Sequence, residues 1–180
     1  MEQKLINEYR LNVGGHIQQV PEYYPLIKID KIIPLSEYPL YTLRGPLVPK
    51  IYLDKYSLSY EDLLLAGVKV LNVYVVIPEN YLDKGCKVYD TEKTINWDNV
   101  PYKHRHLNGS NEYGNELCTH LPEESRDMEN PILENLHTAY RLFQEYKKFL
   151  ITGKWKLKEY SHGDLGVKEY ENRRMQRKIK

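Results

Sequence analysis

Cysteine is scarce in this chain, with Cys86 and Cys118 the two copies among 180 residues. Two cysteines allow one bridge at most, which excludes a disulfide framework. They stand 32 positions apart with no Cys-x-x-Cys, so the usual structural zinc spacing is absent as well. Charge of one sign is also missing. Lys and Arg number 26 against 25 Asp and Glu, for a net charge of +1, which is no footprint for a strongly basic nucleic-acid binder. No apolar run approaches the roughly 20 residues of a membrane-spanning helix. Met1-Glu2-Gln3-Lys4 leads into mixed polar sequence and not into a signal-peptide core. Neither a Gly-x-x-x-x-Gly-Lys phosphate loop nor a Gly-x-Ser-x-Gly elbow occurs. These absences lead us to expect a cytoplasmic protein with reduced thiols, no cofactor, no bound metal, and neither nucleic acid nor membrane as partner.

What is present suits one domain with a core: 41% hydrophobic and 28% charged residues. Tyrosine is abundant at 17, against two each of Phe and Trp, which suggests half-buried strand positions with wet hydroxyls. Residues 2–13 read as a short helix, with Leu5, Ile6, Tyr9 and Val13 near one face and Gly14-Gly15 as its stop. Residues 23–33 read as a strand or extended arm. Residues 38–43 and 50–56 read as two strands joined by a turn. Ser59-Tyr60-Glu61-Asp62 is a capping signal over Leu63-Leu64-Leu65, with Gly67 as the stop. The β-branched run from Val68 to Ile77 reads as the clearest strand, ended by Pro78, and Cys86 to Asp90 as the next. Asn130-Pro131 opens one long helix. Its stripe is Ile132, Leu136, Ala139, Tyr140, Phe143, Tyr146 and Leu150, and Gly153 is its stop. The expected organisation is an N-terminal helix and arm over 1–37, one domain over 38–170, and a basic tail over 171–180.

The chemistry concentrates between His104 and His120. Cys118 stands there with His104, His106, His120 and Asn108. A thiol needs neighbours that favour its thiolate, and imidazoles and amide donors supply them. The residues between, including Gly109, Ser110, Asn111 and Gly114, are turn formers, so the cysteine is expected on a loop. Cys86, alternating with Val88, reads as a packed strand residue.

Three segments resemble the ubiquitin-conjugating fold. Ile77-Pro78-Glu79-Asn80-Tyr81 followed by Lys87-Val88-Tyr89 resembles its third strand, proline–tyrosine corner and fourth strand. His106-Leu107-Asn108 ahead of Leu117-Cys118 resembles its His-Pro-Asn element and catalytic cysteine, although Asn108 stands ten residues before Cys118, a longer loop than in the eukaryotic enzymes. Thr152-Gly153-Lys154-Trp155, with Glu159 and Ser161-His162-Gly163, is similar to the tail of a bacterial branch. That branch is the ubiquitin-conjugating-like proteins of cyclic-oligonucleotide-based anti-phage signalling operons. The resemblance implies an α+β fold: an antiparallel four-stranded meander with flanking helices and an extended cysteine loop. It implies acyl transfer through a thioester at Cys118, with Asn108 as oxyanion donor and His104, His106 or His120 assisting. It also implies a protein partner, the C-terminal tail of a nucleotidyltransferase that makes cyclic oligonucleotides. Two other readings stand beside this one. One is a non-catalytic binding module of the same fold, and the other a cysteine hydrolase pairing Cys118 with His162 and a carboxylate.

Overall fold

The structure, a computed structural model, describes residues 2–34, 39–119 and 128–157. The chain runs α1 (Glu2–Tyr23), β1 (Lys28–Ile33), β2 (Leu40–Pro46), α2 (Lys50–Tyr56), α3 (Tyr60–Leu65), β3 (Asn72–Ile77), α4 (Tyr81–Lys84) and β4 (Lys87–Asp90). Two 3₁₀ turns, Trp97–Asn99 and Tyr102–His104, lead to β5 (Leu107–Asn111) and β6 (Gly114–Leu117); the long helix α5 (Pro131–Thr152) follows. The fold is α+β, built on an antiparallel sheet in the order β1-β2-β3-β4-β6-β5. Among the described residues the sheet thus has six strands where four were expected, because the segment read as a cysteine loop is the β5–β6 hairpin.

Apolar burial explains the register. Val73, Val75 and Ile77 of β3, Val88 of β4 and Leu117 of β6 are all buried, and they join Ile132, Leu136, Ala139 and Phe143 of α5 in one core. On β3 the intervening residues are half-buried, the alternation expected of a sheet with one covered face.

Helix α1 runs through Gly14-Gly15 to Tyr23, ten residues beyond the expected end. Val13, Ile17, Val20 and Tyr24 continue its buried stripe into the same core. Burying four such side chains outweighs about 1 kcal/mol per helical glycine. Residues 50–56 form a helix and not a strand. Tyr52, Leu53 and Tyr56 fall on one helical face, and Tyr52 meets Tyr140 of α5 at 6.3 Å between ring centroids. Just ahead of the helix, Leu47 N–H bonds the Leu71 carbonyl at 2.8 Å. The arm over 23–33 contracts to β1, an edge strand exposed along its whole length.

Other signals are found where they were read. Ser59 and Asp62 form the capping box of α3. Asn130 caps α5 through Leu133 N–H at 3.1 Å, with Pro131 in the first turn. Gly153 ends α5 in the left-handed region at φ 65°. Tyr81 is fully buried and shares a 2.9 Å hydrogen bond with His16 Nδ1. No described helix is long and apolar enough to cross a membrane.

Candidate active site

The β5–β6 hairpin is turned by Glu112-Tyr113, with Tyr113 N–H donating to Asn111 Oδ1 at 2.9 Å. Gly114 opens β6 at φ +120°, and a Cβ there would stand 2.2 Å from the Asp90 carbonyl oxygen. Glycine is therefore what lets β6 lie against the end of β4. Asp90 is itself buried and accepts Ile95 N–H at 2.8 Å, which anchors the turn beyond β4. Burial pushes its carboxyl above the usual range, and backbone donors oppose the rise.

From this footing β6 runs to Leu117, which pairs with both Leu107 and Val88 and is buried. One step further, Cys118 N–H donates to the His106 carbonyl at 2.9 Å, so His106 and Cys118 continue the ladder side by side. Side chains alternate across a strand. Leu117 faces the core, which turns Glu116 and Cys118 toward the other face. Cys118 is half-buried, whereas Cys86 is buried, and no disulfide joins the two. Burial pushes the Cys86 thiol up, away from a reactive thiolate.

Two imidazoles and one indole frame this end of the hairpin. His104 stacks on Trp155 at 5.8 Å and 15°, and His106 does so at 6.4 Å and 14°. Trp155 also meets Trp97 and Phe149 at 6.4 and 6.1 Å. The local sequence explains how the indole arrives there. Gly153 turns the chain out of α5, Lys154 N–H bonds Thr152 Oγ1 at 3.3 Å, and the largely buried Glu145 accepts Lys156 N–H. The Thr-Gly-Lys-Trp segment is thus a clasp that lays Trp155 over the two histidines.

Asn108 lies at a register shift between Leu107 and Gly109. Its Nδ2 donates to Glu116 Oε1 at 3.4 Å. Glu116 also accepts from Tyr89 at 3.0 Å and pairs with Lys87 at 3.9 Å. Burial and, after it, hydrogen bonding to Glu116 push the Tyr89 phenol up, to about 12.

The structure therefore brings Cys118, His106, His104 and Trp155 to one end of the hairpin, and places Asn108 beside Glu116. His120 and His162 lie outside the described residues. Among the described residues no group of three His, Cys, Asp or Glu side chains stands close enough to hold a metal ion.

No family model, curated protein or solved structure matches this chain. The site is read from its own residues.

Two of those residues escaped the sequence reading. Asn135 is fully buried in α5, and its Oδ1 accepts both Cys86 N–H at 3.0 Å and the Thr119 hydroxyl at 3.3 Å. One amide thus ties the start of β4 to the residue after Cys118. Its signal was an asparagine three residues after Ile132 and four before Ala139, on the apolar stripe of the helix. Glu116 is the other, and its signal was a carboxylate two positions before the cysteine, on the same strand face.

Proposed function

We propose that this protein is a cysteine-dependent acyl transferase with a ubiquitin-conjugating-like fold, carrying its acyl group as a thioester on Cys118. The observation that carries the reading is the position of Cys118. It is the half-buried thiol on the non-core face of β6, hydrogen-bonded through its backbone to His106, whose ring and that of His104 stack on Trp155.

In the first step the Cys118 thiolate attacks the activated C-terminal carbonyl of a protein partner. The activating group leaves with its electron pair, and a thioester remains. In the second step a lysine amine attacks that carbonyl, the tetrahedral oxyanion collapses, and Sγ departs as thiolate. The amine proton passes to His104 or His106, imidazole being the side chain most often used as a general base. Asn108 serves as oxyanion donor: Glu116 engages its Nδ2, and an amide nitrogen carries a second hydrogen. Activation of the donor belongs to another protein. The partner we propose is the C-terminal tail of a cyclic-oligonucleotide-producing nucleotidyltransferase, met in the cytoplasm during anti-phage defence. The near-neutral charge and the placement of the thiol on a hairpin end support a protein substrate, and the Thr152-to-Trp155 clasp supports that branch of the superfamily.

Co-expression with such a nucleotidyltransferase, followed by intact-mass measurement, tests the reading. We expect a thioester on wild-type protein that dithiothreitol releases, an oxyester resistant to thiol on Cys118→Ser, and no adduct on Cys118→Ala with circular dichroism unchanged. Adducts persisting on folded Cys118→Ala would refute the assignment.

A further inference from the structure

Acyl transfer needs an amine to receive the group, and the sheet presents one beside the thiol. Val88 of β4 pairs with Leu117 of β6, so one step further along the ladder Lys87 stands opposite Cys118. Directly opposed residues of an antiparallel pair hold their Cβ atoms ~4.5–5.5 Å apart. The two side chains also share a face. Val88 and Leu117 are buried in the core, so Lys87 and Cys118, each one residue away, turn to the other side of the sheet. An independent contact agrees: Lys87 Nζ lies 3.9 Å from Oε2 of Glu116, which is on that face two residues before Cys118.

The setting of Lys87 leaves its amine available. The side chain is 58% exposed, and an ion pair at 3.9 Å in contact with solvent holds an ammonium weakly. Glu116 is engaged besides by Tyr89 at 3.0 Å and by Asn108 at 3.4 Å. A flexible four-carbon stem lets the Lys87 nitrogen swing from Glu116 to the next position on that strand face, which is Cys118. Other lysines are less well placed. Lys31 shares the row through Thr42 and Val76, but it stands four strands from Cys118, roughly 19 Å at ~4.8 Å per strand. Lys103 and Lys154 lie off the ladder, in the 3₁₀ turn of His104 and in the Trp155 clasp.

We infer that Lys87 is an acceptor for the acyl group carried on Cys118, so that the protein acylates itself at Lys87. The inference rests on the thioester reading of Cys118. The Lys87 ammonium first gives one proton to solvent. The free amine attacks the thioester carbonyl and forms a C–N bond, and one of its remaining protons passes to His104 or His106. The C–S bond then breaks with its electron pair on Sγ. The products are an amide at Lys87 and a regenerated Cys118 thiolate. An amine held on the neighbouring strand acts at a high effective concentration, which sets it ahead of lysines in solution. The amide also removes the Lys87 charge, and with it the pairing to Glu116.

The test uses a small donor, the mercaptoethanesulfonate thioester of N-acetylglycine, which exchanges onto a reactive thiol without the protein partner. The full chain is incubated with it, and its peptides are mapped by mass spectrometry over time. A thioester on Cys118 is expected first, followed by a dithiothreitol-resistant amide on Lys87. That amide should form at least about tenfold faster than on any other lysine, at a rate independent of protein concentration. Cys118→Ala should lose the Lys87 amide. Lys87→Arg, which keeps a cation beside Glu116, should hold its Cys118 thioester at least about tenfold longer than wild type. A Cys118 thioester that forms while Lys87 stays unmodified would overturn this inference and leave the thioester reading standing. Lys87 acylation undiminished in Cys118→Ala, or equal acylation of Lys103 or Lys154, would overturn it as well. So would a rate that scales with protein concentration, which would make a second copy the acceptor. Absence of any Cys118 thioester on folded wild-type protein would overturn both.

Discussion

Cys86 and Cys118 lie at the same end of one sheet, on neighbouring strands, yet their settings are opposite. The pairing of Val88 with Leu117 makes Cys86 level with Thr119, and Asn135 binds both of those residues. Cys86 shares the parity of Val88 and enters the core, where burial pushes its thiol up. Cys118 shares the parity of Glu116 and stays half-buried beside His106. A single residue of offset along the ladder therefore separates an inert packed sulfur from a candidate nucleophile. The same alternation puts the two side chains on opposite faces, in keeping with the absence of a disulfide between them.

The contrast can be broken most forcefully at Gly114. An alanine Cβ would meet the Asp90 carbonyl oxygen at 2.2 Å, and the φ of +120° is one that side chains other than glycine rarely adopt. Gly114→Ala should cost on the order of 3 kcal/mol or more, read by denaturant unfolding, because β6 must leave β4 and take Cys118 with it. Wild-type stability and adduct yield in this variant would show that the hairpin footing does not set the thiol.

Asn108→Ala sharpens the chemical half of the comparison. Loss of an oxyanion donor should slow acyl transfer by about 10²–10³-fold and leave partner affinity nearly unchanged. Single-turnover kinetics beside a binding titration check this. Equal losses in both would make Asn108 a hairpin residue that holds Glu116. The smallest effect is expected at the buried thiol. Cys86→Ala should lower stability by ~1 kcal/mol, as one core sulfur is lost, with adduct formation intact in a gel assay.

Where local signals and burial agreed, the sequence was readable. The capping box at Ser59, the Asn130-Pro131 start of α5, its apolar stripe as far as Tyr146 and the Gly153 stop are all dominated by nearby groups; Leu150, read as part of the stripe, is exposed. Where long-range burial competes with local propensity, the reading failed. Gly14-Gly15 looked like a stop because the later burial of Ile17, Val20 and Tyr24 has no local signature. Residues 50–56 looked like a strand because their apolar content fits either period, and only α5 decides between them. Gly109, Ser110, Asn111 and Gly114 were turn formers in composition, but Leu117 had β4 to pair with, and sheet extension won over an open loop. At the site, the cysteine and its histidines were visible as residue types. Asn135 was not, because its role is to join the Cys86 backbone to the Thr119 hydroxyl, 33 residues apart in sequence.

The central claim is that Cys118, and not Cys86, is the reactive thiol. Alkylation of the native protein by iodoacetamide from pH 6 to 10, with peptide mapping by mass spectrometry, measures it directly. Cys118 should be modified at least about 100-fold faster than Cys86 at neutral pH, and Cys86 should stay slow beyond the usual thiol range near pH ~8.5, because burial disfavours its thiolate. Comparable rates at the two positions, or faster modification of Cys86 in folded protein, would contradict the account.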